Sequence, residues 1–362
     1  VLQSAIWDNI NTDIAAALTQ LATQANTTPT WSNILAPNGG FAIWQRGAGA
    51  NASFSVNAST TQYTADRWYI ITGANQATVV AAATGLTGAA PPAHACKITR
   101  TAAQTGITAY TFGYPLTADE VYRLRGQQVS FSGAAKSGAN WSPALGAFTI
   151  SLLVGTGTAQ KAGVAGANFS GLSTPLTITT DLAAGATNTS ITGTSAAIVP
   201  ITSTQGEIQV TWTPVGTAGT DDSLTLDQFC LVAGAIVQSF EDLPFDTCLR
   251  ECKKFFRKSF NYNVAPAQNA GNGGAIGAWS QAVARLGIYV NLEPIEMYVT
   301  AAVTTYQPNG ASANWSNATS GASSAPTLDG TVSSGKGFTI LTATVSNVDN
   351  YLFIHYTADA PL

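Results

Sequence analysis

From Ile34 to about Ala235, apolar and polar positions alternate in short runs separated by clusters of Thr, Ser and Gly. A period of two puts one side of a strand toward a core and the other toward solvent. The pattern predicts strands at 41–45, 67–72, 77–83, 96–101, 107–112, 128–132, 147–154, 175–180, 207–212 and 224–232. Strands at this spacing, with turn signals between them, predict a sandwich or jelly roll. Residues 155–172 and 182–197 carry little side-chain information and read as long loops or edge structure. A second all-β stretch, 263–362, has predicted strands at 286–291, 297–304, 337–344 and 351–358. A polar insertion at 307–326 interrupts it, and loops of that length are more often functional than filler.

Two stretches break into helical spacing. Residues 244–258 place Phe245, Cys248, Leu249, Cys252, Phe255 and Phe256 on one face. Pro244 suits the first helical position, Asp246 the first turn, and Lys253, Lys254, Arg257 and Lys258 the last turn. The segment 241–258 holds 9 of the 34 charged residues, which marks it as a boundary between two charge-poor regions. Phe255 and Leu249 are expected to be buried between those regions, with Lys254 and Lys258 more exposed. Residues 1–25 carry a second stripe: Leu2, Ile6, Ile10, Ile14, Leu18 and Leu21. A lone helix of this kind is marginal in water, so it needs other copies of itself, the rest of its chain or a larger assembly.

Charged residues make up only 9% of the 362, against roughly 25% in ordinary soluble domains. A surface solvated by hydroxyls and amides is common in extracellular, fibrous or capsid-like proteins. The net charge of −4 and the lack of a basic face argue against a nucleic-acid partner. No apolar run approaches the ~18 residues of a membrane span, so no membrane insertion is expected. Cys248 and Cys252 lie one helical turn apart with no nearby His; with Cys96 and Cys230 they read as reduced core thiols, not a zinc site. The chain opens at Val1, which is either a processed start or the result of trimming.

The sequence offers little catalytic chemistry. His94 lies in a Pro-Pro-Ala-His loop without a nucleophile motif, and His355 reads as a strand-face residue. The acid pairs Asp119-Glu120, Asp221-Asp222 and Glu241-Asp242 sit at turns or junctions, and strand neighbours point to opposite faces. Asp221-Asp222 reads as a solvated turn ahead of a Ca²⁺ ligand pair. Asp66-Arg67-Trp68 reads as the opening of a strand, with Arg67 or Arg46 paired to Asp66 and with Trp44 and Trp68 in the core. No enzyme activity, metal or cofactor is expected.

Three groups of residues carry a family resemblance. The first runs from Asn38-Gly39-Gly40-Phe41-Ala42-Ile43-Trp44-Gln45-Arg46-Gly47 to Tyr63-Thr64-Ala65-Asp66-Arg67-Trp68. The second is Tyr122-Arg123-Leu124-Arg125-Gly126 leading into 128–132, then 224–234, 240–244 and 248–256. The third is Ile354-His355-Tyr356-Thr357-Ala358-Asp359-Ala360. Taken in order, they resemble phage and prophage tail-fibre or virion structural proteins, in which a carbohydrate-binding-module-like jelly roll precedes a helix and a small C-terminal β domain. This chain departs from the pattern in lacking a long fibre shaft.

The resemblance implies a mainly β fold: a jelly-roll β-sandwich plus a second, smaller β-sandwich domain, with an N-terminal helix and a linking helix. The expected divisions are 1–33 for oligomerisation or attachment, 34–243, 244–262 and 263–362. It also implies a homotrimer on the virion, assembled in the host cytoplasm and acting outside the cell. Other virion proteins would be met through the N-terminal helix, and host-surface glycans would be the receptor. A purely structural virion component and a polysaccharide-degrading tail protein are the alternatives.

Glycan recognition needs exposed aromatic faces beside amides and hydroxyls. Trp315, within the Asn- and Ser-rich insertion, Tyr306 just before it and Trp279 after a Gly-rich run are the candidates, with Trp141 a weaker one. A ring tucked against a neighbouring subunit is the alternative for Trp315.

Overall fold

The computed structural model describes residues 13–16, 33–82, 95–157, 169–280, 287–317, 323–334, 336–342 and 350–360. Of the predicted N-terminal helix, residues 13–16 are helical and Ile14 is exposed. The other stripe residues, and His94, lie outside the described residues.

Twelve strands among the described residues build the first region. They are β1 (Ser53–Val56), β2 (Thr61–Tyr63), β3 (Tyr69–Ile71), β4 (Ala77–Ala82), β5 (Ala95–Arg100), β6 (Tyr110–Leu116), β7 (Val129–Ser137), β8 (Ala147–Thr156), β9 (Ser170–Asp181), β10 (Thr189–Thr194), β11 (Gln205–Trp212) and β12 (Ser223–Ala233). They form two six-stranded antiparallel sheets, β1-β4-β5-β12-β7-β10 and β2-β3-β6-β11-β8-β9. The fold is therefore mainly β, a sandwich with smaller sheets following it. The alternation dictates the layers. Leu224, Leu226, Phe229 and Leu231 of β12 meet Tyr110, Phe112 and Tyr114 of β6 in one core. Trp68 lies flat on Phe112, with centroids 4.9 Å apart and planes 8° apart.

The predicted strand at 41–45 is not one. Residues 33–48 run as turns across β12, because a bulge there frees backbone groups to hold them. Gln228 has a φ of 56°, and the Phe229 N–H donates to the Gly39 carbonyl at 2.9 Å. Gly39 is required by this close approach, since a Cβ would collide with the Phe229 carbonyl. The loop-like segment 182–197 contains edge strand β10. A helix that the pattern did not flag, α1 (Ala118–Leu124), starts at a capping box: the Thr117 side chain accepts from Glu120 N, and Glu120 accepts from Thr117 N.

The linking helix is shorter than predicted. α2 (Phe245–Cys252) begins after Pro244, which sits at the N-cap position rather than the first helical one and makes no side-chain cap, and its apolar side packs Cys248 and Cys252 on Ile43. Residues 256–258 leave the helix because their backbone pairs with the last strand. Phe255 is buried, as expected, and Leu249 packs on the same small cluster as the cysteines. Lys258 is not the exposed base that a helix end suggested. Its ammonium donates to the carbonyls of Gly47, Tyr262 and Val264 at 3.2, 2.8 and 2.7 Å.

The C-terminal region follows as β13 (Phe256–Lys258), β14 (Ile276–Ser280), β15 (Gly287–Asn291), β16 (Ala302–Tyr306), β17 (Trp315–Asn317), β18 (Ser323–Ser324), β19 (Thr327–Ser334), β20 (Gly337–Leu341) and β21 (Asn350–Asp359). β21 is its axis: β13 and β14 line one side, β16 and β17 the other. A three-stranded sheet, β15-β20-β19, completes the core. That core contains Leu292, Met297, Trp315, Phe338, Ile340, Leu352 and Ile354.

Candidate functional site

β21 separates its side chains by parity. Leu352, Ile354, Tyr356 and Ala358 enter the core, so Tyr351, Phe353, His355, Thr357 and Asp359 share the opposite face. That face has three different environments along its length.

The first is an aromatic set. Trp279 of β14 is the register partner of Tyr351, and their ring centroids lie 5.7 Å apart. Tyr351 meets Phe353 edge to face at 4.5 Å and 85°. Gly277 stands opposite Phe353, and a Cβ there would press on its ring at 3.3 Å. The glycine thus lets the Phe353 ring lie over the neighbouring strand. Trp279 is 54% exposed and Tyr351 38%, so the set presents ring surface to solvent.

The second environment is closed. His355 is buried and stacks on Phe260, centroids 4.0 Å apart and planes at 11°. Its Nε2 lies 2.8 Å from the Gly271 carbonyl, to which it donates, and Nδ1 lies 2.9 Å from Ser259 Oγ. Ser259 Oγ also accepts from Tyr356 N at 3.0 Å. Burial pushes the imidazole pKa down, against the Gly271 hydrogen bond. A neutral ring with both nitrogens engaged fastens the 259–275 loop to β21.

At the third, Asp359 receives Arg46 Nη2 at 2.6 Å and ties β21 to the sandwich.

The sequence-predicted residues fall into different environments. Trp279 joins the exposed set. Tyr306, the register partner of His355, is half-buried against Phe260 with centroids 5.3 Å apart. Trp315 is fully buried, and its Nε1 donates to the Leu341 carbonyl at 3.3 Å. The polar insertion does not leave this ring exposed, because β17 pairs with β21 and turns it into the core. Trp141 is also a packing residue, 7% exposed, with its Nε1 donating to the Gly146 carbonyl. Tyr351 and Phe353 were not singled out from the sequence. The available signal was an aromatic at alternate positions of a terminal strand, opposite aliphatic Leu352 and Ile354.

Of the acid pairs, Asp221-Asp222 and the Glu120 member of Asp119-Glu120 are engaged in ion pairs, whereas Asp119, Glu241 and Asp242 are exposed. Asp222 is 3% exposed and bonded to Arg100 and Ser142, so it is no solvated turn. Asp66 takes a hydrogen bond from Gln45 at 2.6 Å and forms no pair with Arg67 or Arg46. Among the described residues there is no cluster of His, Cys, Asp and Glu able to hold a metal. Nor is any helix there long and apolar enough to cross a membrane.

No family model and no curated protein sequence matches the chain. Several solved structures do. The enzymatically active domain of bacteriophage CBA120 tailspike protein 4 matches at 8% identity and a TM-score of 0.30, over 57% of this chain and 22% of that one. A CBM4 structure matches at 13% identity and 0.29, over 54% and 97%. The CBM22-1 xylan-binding domain of Paenibacillus barcinonensis Xyn10C matches at 13% and 0.28, over 50% and 99%.

Proposed function

We propose that this chain is a non-enzymatic bacteriophage fibre or spike protein that contacts host-surface glycans through Trp279, Tyr351 and Phe353. The observation that carries the glycan contact is the solvent-facing aromatic set on β14 and β21. Ring faces of this kind cover the apolar C–H surface of a sugar while neighbouring polar groups take its hydroxyls. The virion setting is supported by the ordered motifs from Asn38 to Ala360, and by a surface with little charge. In this reading the chain acts as a homotrimer, anchored to other virion proteins by its N-terminal stripe, and works outside the host cell.

A glycan array with the full chain and its Trp279→Ala variant tests the proposal. Loss of one stacking ring is expected to weaken binding about 5- to 150-fold, on the scale of about 1–3 kcal/mol for ring stacking on bases. Absence of any glycan binding, or binding untouched by Trp279→Ala, overturns it. A second reading, a purely structural virion component, is favoured by the full burial of Trp315 and the packing of half-buried Tyr306 on Phe260, which leave Trp279 the most exposed of the three candidate rings.

A further inference from the structure

The outer face of the β1-β4-β5-β12-β7-β10 sheet carries a cleft of about 400 Å³, in the size range of small-ligand sites. Three neighbouring strands form its floor in one register row: Lys97 of β5, Thr225 of β12 and Lys136 of β7. Lysines two strands apart stand about 9–10 Å from each other at their Cα atoms. That leaves room for one anionic group between the ammonium groups.

The two lysines differ. Lys97 Nζ is held at 2.9 Å by Asp221. Asp221 is itself fixed by Ser223 Oγ at 2.8 Å and by the Ala139 N–H at 3.1 Å. Lys136 is exposed and has no ion-pair partner among the described residues. Thr225 is 7% exposed, and its hydroxyl has no hydrogen-bond partner among the described residues, although it lines the cleft. The Thr225 hydroxyl opens onto the cleft, where it can donate to a ligand's acceptor. Lys97, Lys136 and Asp221 together leave one positive charge uncompensated, on a chain of net −4.

We infer that this cleft binds the carboxylate of an acidic saccharide, with Lys136 and the Thr225 hydroxyl as the recognising groups and Asp221 positioning Lys97. A carboxylate fits between paired ammonium groups, and the exposed Thr187 and Asn188 at the rim of the cleft suit sugar hydroxyls. The site is separate from the aromatic set on β14 and β21 and does not depend on it.

Calorimetric titration of the full chain tests the inference, using oligomers of galacturonate, guluronate and glucuronate, a neutral cello-oligosaccharide of equal length, and inorganic phosphate. At least one uronate oligomer is expected to bind, to weaken with added salt, and to bind at least tenfold more weakly to Lys136→Gln. Lys136→Arg is expected to restore it and Thr225→Val to weaken it severalfold. Circular dichroism confirms that each variant folds. Trp279→Ala is expected to leave this binding unchanged, which separates the cleft from the aromatic set. The inference is overturned if no uronate binds, if the neutral oligomer binds equally, if phosphate alone binds as tightly, or if Lys136→Gln changes nothing.

Discussion

Arg67 and Glu120 face each other in a two-pronged ion pair, Nη1 to Oε1 at 2.7 Å and Nη2 to Oε2 at 2.8 Å, with both side chains almost fully buried. Each is held by further partners. Glu120 closes the capping box of α1, and Arg67 Nη2 also donates to the Pro115 carbonyl. The guanidinium lies 4.3 Å from the ring centroids of both Tyr114 and Phe255. Tyr114 belongs to the sandwich core, whereas Phe255 leads into β13, so one arginine joins the two β regions. Arg67 sits at a φ of 69°, a conformation disfavoured for its side chain and held in place by these contacts.

Removing the acid leaves the base buried and unpaired. Burial alone would raise the Glu120 carboxyl pKa, and Arg67 overrides this to hold it below the usual range. Glu120→Ala is therefore expected to destabilise the fold by about 3–5 kcal/mol, read from the midpoint of urea unfolding. A midpoint within error of the unaltered chain would show that the pair is not what holds this corner.

Phe255 is the second link. Its ring stacks on Tyr298 with centroids 5.5 Å apart, and its carbonyl accepts the Ala360 N–H at 2.8 Å. Phe255→Ala removes the apolar wall of the Arg67 site and opens a cavity, so a loss of about 3–5 kcal/mol is expected. Differential scanning calorimetry checks it. A thermal midpoint unmoved by the substitution contradicts the burial.

The strands were legible because a strand with one side on a core sets apolar residues at alternate positions, as do Phe148, Ile150, Leu152 and Val154 of β8 and Tyr110, Phe112, Tyr114 and Leu116 of β6. α1 was readable only through Thr117 and Glu120, three apart, since seven residues are too few for a periodic signal. The partner of Arg67 was not legible at all. Adjacent Asp66 looks the natural choice in sequence, yet the turn aims the two side chains apart and folding brings Glu120 from 53 residues away. Trp315 misled for a different reason. Its Asn, Ser and Gly neighbours have loop composition, but the pairing of Ser316 with Phe353 fixes which face the tryptophan takes. Trp279 was readable as exposed; its partners Tyr351 and Phe353 became evident only with the β14–β21 register.

Asp66 gives the junction a pH dependence. Burial pushes its carboxyl up to about 6, against the opposing effects of Arg46 and the Gln45 hydrogen bond. One oxygen takes the Gln45 bond and the other has no hydrogen-bond partner among the described residues. A carboxyl whose folded value lies above its unfolded one near 3.8 favours folding when protonated. Its contribution is thus full below about pH 4 and is lost as pH rises through 6. Asp66→Asn is neutral at every pH and is expected to be more stable than the unaltered chain at pH 8, by up to about 3 kcal/mol. The difference should vanish near pH 4. Paired urea titrations at both pH values measure it, and an equal difference at the two would refute the assignment.

Trp279 and Trp315 make the sharpest contrast within one small region. Both are tryptophans on strands that pair with β21, and both follow stretches rich in Gly and Asn. Trp315 is fully enclosed by the C-terminal core and hydrogen-bonded through its indole nitrogen, whereas Trp279 is 54% exposed. Trp315→Ala leaves a large cavity and an unpaired Leu341 carbonyl, so a loss of about 3–5 kcal/mol is expected. Trp279→Ala removes only a contact with Tyr351, and a change of about 0.5 kcal/mol is expected. Urea unfolding of both variants, followed by tyrosine and tryptophan fluorescence, separates the two roles. If Trp279→Ala destabilises as much as Trp315→Ala, the ring on β14 is packing rather than presented surface, and the glycan contact loses its platform. If it does not, Trp279 can be altered freely in binding experiments without disturbing the fold that presents it.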